Sequence, residues 1–225
     1  MSNLIVLYGN MLDLPKQVSV DSKGHAYYEF QFAATRPSGI KDIIPVMVEE
    51  GTQAYTDLVA IDQKKDLLTE TLMIQGEIRT RNHKRKYEEH MKLYVSVKAK
   101  EIVDVGSVDT AEIKGQTNSV YITGYVCKNK GVRITPRGIK ITELIVACWT
   151  DETGTASYYI PTITWNGTAV RAADRLEPGT EVEIYGRLQS RMYIKVLSED
   201  QEEERMCLEL SVSKFEILKE KSERR

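Results

Sequence analysis

The stretch Asn3-Leu4-Ile5-Val6-Leu7-Tyr8-Gly9 returns about 115 positions later as Asn118-Ser119-Val120-Tyr121-Ile122-Thr123-Gly124. Similar pairs follow in order. Gly24, Glu29-Phe30 and Ala33 meet Gly138, Glu143-Leu144 and Ala147; Ile44-Pro45 meets Ile160-Pro161, and Gly51-Thr52 meets Gly167-Thr168. Gly76-Glu77-Ile78-Arg79-Thr80-Arg81 meets Gly186-Arg187-Leu188-Gln189-Ser190-Arg191. Leu93, Val97 and Glu101-Ile102 meet Leu208, Val212 and Glu216-Ile217. Chance supplies one such match, not a collinear series, so the chain is two copies of one module. Solenoid repeats are shorter and need more copies to close a core; this is a domain duplication. Small and polar residues between 104 and 117 read as a linker. The expected organisation is a first domain at 1–104, a linker at 105–117, a second domain at 118–218 and a charged tail at 219–225.

Within each copy the pattern is mostly strand. Tyr28, Phe30 and Phe32 alternate with Glu29, Gln31 and Ala33, and Leu208, Leu210 and Val212 alternate with Glu209 and Ser211, the period of a half-buried strand. One segment per copy breaks this period. Ala169, Ala172, Ala173 and Leu176 fall at helical spacing, as do Ala54, Leu58 and Ile61 in the first copy. Each module therefore reads as three strands, a helix and two strands. That is the order of an OB-fold, a partly open five-stranded Greek-key barrel. The predicted class is all-β, with two OB-fold barrels in tandem and one short helix in each.

Composition leaves the partner open. Hydrophobic residues make up 41% and charged residues 28% of the 225, enough apolar material for real cores. The formal net charge of -2 argues against strong non-specific duplex binding, which usually rests on a basic excess. A local basic groove with stacking aromatics suffices for single strands. No run is long and apolar enough to span a bilayer, and the N-terminus reads as a strand rather than a signal peptide. Cys127, Cys148 and Cys207 are an odd, scattered set, the expectation for reduced thiols in a cytoplasmic protein. Cys-x-x-Cys, His-Glu-x-x-His, Walker and dinucleotide motifs are missing, so the expectation is no enzyme, no cofactor and no metal.

The second copy resembles a bacterial single-stranded DNA-binding protein over nearly all of 118–218. The resemblance rests on Asn118 through Gly124, on VRITPRG at 132–138, on Trp165-Asn166-Gly167 and on GRLQSR at 186–191. In that family bases stack on aromatics at four places, and the matching positions here hold Trp149, Tyr159, Trp165 and Tyr193. Every base has a π-face, so such platforms hold single strands with little sequence preference. A strand aromatic more often packs inside, but Tyr158 and Tyr159 are adjacent, so one must face outward. Arg133, Arg137, Arg187 and Arg191 are the cations expected beside the platforms, to hold phosphates or stack on bases.

The first copy departs from that pattern. Thr35, Ile43, Glu49 and His83 stand at the four aromatic positions, and VSVDSKG at 18–24 replaces VRITPRG. In exchange it has a basic run, Arg79, Arg81, Lys84, Arg85 and Lys86, followed by Tyr87, expected in the loop between the fourth and fifth strands that OB-folds use on oligonucleotides. In composition this half is similar to primosomal replication protein N. The matching loop of the second copy is acidic, with Glu199, Asp200, Glu202, Glu203 and Glu204. It is expected to point away from bound DNA or to meet the basic loop of another copy.

Two functions follow as expectations. One is single-stranded DNA binding in replication, recombination or repair, by a cytoplasmic, nucleoid-associated homodimer carrying four barrels. The other is a structural or protein-interaction module with little nucleic-acid binding. The family's long acidic tail, which recruits replication and repair proteins, has no counterpart in the Lys219-Glu220-Lys221-Ser222-Glu223-Arg224-Arg225 ending, which puts that recruitment in doubt.

Overall fold

Along the first strand, β1 (Asn3–Met11), Ile5 and Leu7 are fully buried while Leu4 is 38% exposed, the alternation that a strand with one wet face imposes. The computed structural model describes residues 2–83, 92–106, 116–149, 156–198 and 201–220. After β1 come β2 (Lys16–Val20), β3 (Ala26–Thr35), β4 (Lys41–Glu49), α1 (Gln53–Asp62), β5 (Leu72–His83) and β6 (Lys92–Asp104). The second copy contributes β7 (Asn118–Ile134), β8 (Lys140–Trp149), β9 (Ser157–Trp165), α2 (Asn166–Arg175), β10 (Glu181–Ser198) and β11 (Gln201–Lys219).

Each copy closes a ring of strands. In the first, β1 pairs with β3, β3 with β4, β4 in parallel with β6, β6 with β5, and β5 returns to β1. In the second, β7, β8, β9, β11 and β10 close in the same order, with β9 and β11 parallel. The all-β reading holds, and the helix lies between the third and fourth ring strands in both copies. α1 buries Ala54 and Leu58, and α2 buries Ala169 and Ala172. Phe30, Phe32 and Ile44 in one ring and Ile122, Val146 and Ile160 in the other fill the interiors.

The copies differ in their first strand. β7 runs unbroken for 17 residues, with register shifts at Val126/Lys128 and Asn129/Val132. The first copy splits the same path into β1 and β2, separated by residues 12–15. Pro15 in that gap has no amide to give to a ladder, which ends the strand. Where the first strand bends across the second, only glycine fits. A Cβ on Gly9 would lie 1.9 Å from the Ala33 carbonyl oxygen, and one on Gly124 would lie 2.3 Å from that of Ala147.

The two rings join through their first strands. β1 and β7 pair antiparallel, with Ile5 opposite Val120, Asn3 opposite Ile122 and Leu7 opposite Asn118. This joins all eleven strands into one sheet. Thr117, at the end of the sequence-read linker, is buried; its hydroxyl donates to the Thr35 carbonyl at 2.6 Å and its carbonyl accepts from the Tyr8 amide at 2.8 Å. Among the described residues no helix is long and apolar enough to cross a membrane.

Candidate nucleic-acid interface

β9 pairs with β8 from Trp165 opposite Ile141 to Ser157 opposite Trp149 without a bulge. Strict alternation then puts Tyr159, Pro161 and Trp165 on one face together with the buried Ile163, and Ile160, Thr162 and Thr164 on the other, which is buried throughout. Tyr159 is 51% exposed, and its amide donates to Thr80 Oγ1 of the other barrel at 3.0 Å. Its neighbour Tyr158 is half-buried, with the Arg79 guanidinium 4.5 Å from the ring centre and bonded to its hydroxyl. The adjacency argument therefore resolves in favour of Tyr159 as the outward ring. Trp165 is half-buried, and its indole Nε1 donates to Ser211 Oγ at 3.0 Å. Asn166, at φ 52° in the left-handed region that asparagine tolerates, turns the chain directly from Trp165 into α2. Six residues of strand hold the two rings about 20 Å apart.

The other two aromatics are placed differently. Trp149 stands edge-on to Tyr125, with centroids 5.6 Å apart and planes at 87°, a packed arrangement. Tyr193 is 36% exposed and has the Arg191 guanidinium 5.7 Å from its ring centre.

The arginines divide by their partners. Arg133 and Lys130 both hold Glu143, at 3.0 and 2.8 Å; burial raises that carboxyl, but the two cations outweigh it and keep it below its usual range. Arg137 is exposed at the β7–β8 turn and forms no ion pair among the described residues. Arg191 donates to Glu209 at 3.0 Å. Arg187 is half-buried, its Nη2 donates only to the neutral Gln189 at 3.2 Å, and its buried Nε has no partner. Burial lowers its pKa, and so does the charge of Arg36, while the Asp42 carboxylate partly opposes them.

Trp165, Arg187 and Arg191 come together in an open groove of about 720 Å³ whose other wall belongs to the first barrel. Arg36, Ile40, Lys41 and Ile43 form that wall. Arg36 clamps the fully buried Asp42 with two bonds of 2.8 and 2.6 Å. Asp42 also accepts the Ser190 amide at 2.8 Å, and Ser190 Oγ accepts the Ile43 amide at 2.9 Å. Sequence reading missed Arg36 and Lys41, because the residues that give them meaning lie near position 190.

Two expectations need correction. Arg79 and Arg81 are not in a loop: β5 continues through them to His83. Arg79 is held by Glu77 at 2.6 Å and by Tyr158, and Arg81 lies 4.9 Å over Tyr94, whose hydroxyl donates to Glu29. Likewise Glu202, Glu203 and Glu204 are strand residues at the end of the β10–β11 hairpin, and Glu203 is already paired with Arg205. The extended ladder wins over the charge pattern because its backbone hydrogen bonds do not depend on side-chain identity. Lys84, Arg85, Lys86 and Tyr87 lie outside the described residues, as do Glu199 and Asp200. Of the first copy's substitutes at the aromatic positions, Thr35 is exposed, Ile43 is half-buried, and Glu49 is taken by Lys98 at 2.6 Å.

Two closed rings of OB topology, with a groove between them that Trp165 and several cations line, define a tandem OB-fold protein. The sequence model of the single-strand binding protein family matches residues 117–218, the second barrel. Two solved structures of the single-stranded DNA-binding protein from Thermus aquaticus share the fold along both chains. The wild-type structure is 16% identical, with a TM-score of 0.69 and coverage of 100% of this chain and 96% of that one. A deletion mutant is 20% identical, with a TM-score of 0.65 and coverage of 96% and 94%. The dimeric N-terminal domain of the PriB protein from Thermoanaerobacter tencongensis aligns with 47% of this chain and 98% of that chain, at 21% identity and a TM-score of 0.35. No curated protein matches the chain.

Proposed function

We propose that this chain binds single-stranded DNA without strong sequence preference and without catalysing a reaction, in replication, recombination or repair. The observation that carries the reading is the groove in which Trp165 stands beside Arg187, Arg191, Arg36 and Lys41. An aromatic platform flanked by cations is what an unpaired strand needs: a π-face for the base and donors for the phosphates. Tyr159 extends the same face of β9. Tyr193 and Arg137 are further contacts on the second barrel, while Trp149 packs edge-on against Tyr125 at the far end of the β8–β9 pair. The family match of this barrel supports the same reading.

The first barrel contributes differently. Glu77 and Glu49 neutralise Arg79 and Lys98 there, which favours assembly over strand contact for much of its surface. Trp165, one of the chain's two tryptophans, lines the groove and reports on it by its fluorescence. Titration with poly-dT should quench it, strongly at low salt and more weakly at high salt. No quenching and no change in mobility at low salt would leave the protein-interaction reading in its place.

A further inference from the structure

Arg187 is placed at a cost that the described chain offsets only in part: the Asp42 carboxylate favours its charge, but no hydrogen bond joins the two. Its guanidinium is half-buried, one nitrogen is enclosed without a hydrogen-bond partner, and its one side-chain acceptor is a neutral amide. Arg36 of the other barrel lines the same groove, close enough for its positive charge to disfavour that of Arg187. Asp42 answers Arg36 directly, through Nε and Nη2, and leaves the remaining guanidinium donors of Arg36 without a described acceptor. Lys41, exposed on the same wall, forms no ion pair among the described residues.

The first copy shows what the same position looks like when the protein neutralises it. Glu77 occupies the place of Arg187, and Arg79 the place of Gln189. There the carboxylate is buried and takes both Arg79 and Lys100, so the pair carries its own counter-charge. In the second copy the carboxylate is replaced by a cation and the cation by an amide. The two guanidinium charges, drawn from two barrels into one half-buried groove, outnumber the single carboxylate, Asp42, that acts on both, and so call for a further anion.

We propose that Arg36 and Arg187, assisted by Lys41, form a site for a backbone phosphodiester that is shared by the two barrels. The site rests on the single-strand reading above and adds to it a definite consequence: one phosphate is gripped by both barrels at once. A strand seated there ties the barrels together, and neither barrel alone offers the full set of donors.

The test uses the full chain and the Arg187→Gln variant, with binding of a fluorescent oligo-dT measured from low to moderate salt. The expected result is a loss of about ten- to a hundredfold in affinity at low salt, as for a charged hydrogen bond. The slope of log K against log salt should also fall by about 0.7, the value for one phosphate contact on a single strand. The thermal midpoint should hold or rise, because the substitution removes a like-charge pair; a structural arginine would give the opposite. Arg36→Lys keeps a positive charge against Asp42 while removing the fork. The double variant should then lose less than the product of the two single losses.

If the wild-type chain binds oligo-dT and Arg187→Gln matches it in affinity and slope, the shared site is wrong and the single-strand reading stands. If the wild-type chain does not bind oligo-dT, that reading fails, and a second arm decides the site alone. Inorganic pyrophosphate at low ionic strength should raise the thermal midpoint of the wild type and not of Arg187→Gln. Equal protection of both, or of neither, overturns the site.

Discussion

Ile5 and Val120 face each other across the β1–β7 pair, and the chain is arranged symmetrically about them. Residues equidistant from this pair are equivalents in the two copies: Asn3 meets Ile122, and Leu7 meets Asn118. The same relation recurs farther out. Thr80 Oγ1 receives the Tyr159 amide, and its equivalent Ser190 Oγ receives the amide of Ile43, the equivalent of Tyr159. The duplication has thus produced an internal dimer with an approximate two-fold axis through β1 and β7.

Asn3 and Asn118 fasten that dimer within each barrel. Asn3 Nδ2 donates to the Ile78 carbonyl at 2.8 Å while its Oδ1 accepts the Ile78 amide at 2.9 Å. Asn118 makes the same pair of bonds to Leu188, at 2.7 and 3.0 Å. Asn3→Ala removes the partners of two backbone groups, each costing about 1–3 kcal/mol when left unpaired. The expected loss is about 2–4 kcal/mol in urea unfolding, with Asn118→Ala toward the lower end because its surroundings are wetter. A loss under about half a kcal/mol for both would show that water replaces the clamp without penalty.

Tyr159→Ala and Trp165→Ala separate stacking from packing. Each stack on a base contributes about 1–3 kcal/mol, so the double variant should weaken poly-dT binding by about 2–6 kcal/mol if the stacks add. Tyr159 is half exposed, so its removal should leave stability nearly unchanged. Trp165→Ala also strands the Ser211 hydroxyl and should lower stability by about 1 kcal/mol. A folded double variant with wild-type affinity removes stacking from the mechanism.

Neutralising Lys84, Arg85 and Lys86 together measures whether the β5–β6 connection meets DNA. The single-strand salt slope should fall by about 0.7 for every phosphate that these side chains hold. An unchanged slope assigns these residues to solvent.

The fold was legible because its signals are local or repeated. Gly9 and Gly124 recur at matching places for a steric reason, since each lets a first strand touch the carbonyl of a second, and sequence comparison detects that as a repeat. Strand alternation and the short helices, with Ala54 and Ala172 buried, are equally local. The site was legible only in part. Tyr159 and Trp165 could be assigned to one face because an unbulged strand has a fixed period. Arg36 could not be found, since its groove is made by residues some 150 positions away, and the edge-on packing of Trp149 against Tyr125 leaves no mark in the sequence. Arg79 and Arg81 were misplaced for a related reason: a hairpin that extends beyond the barrel carries polar residues on strands, and composition alone reads them as loop.

Assembly gives the last prediction. The internal dimer already uses the first strand of both barrels, so a second chain must join through another surface. Two chains would give a particle of four barrels with two-fold symmetry, the commonest closed arrangement. Charge is a weak candidate for holding it. Glu203 is engaged by Arg205, and Glu203 and Glu204 share a groove with Leu93 and Tyr94 of their own chain. Exposed ion pairs contribute only about 0–1 kcal/mol each, enough to set register and not to hold a dimer. Apolar side chains are better placed to supply cohesion: Leu12, Leu14, Val18 and Val20 are exposed around β2, which lies at one end of the strand order. Sedimentation equilibrium at micromolar concentration should therefore give about twice the chain mass of 25.6 kDa, and added salt should leave that value in place. A mass of one chain refutes the four-barrel particle. Dissociation at moderate salt would keep the particle but transfer its cohesion from the apolar edge to charged contacts, and Val18→Lys with Val20→Lys would then leave the dimer intact.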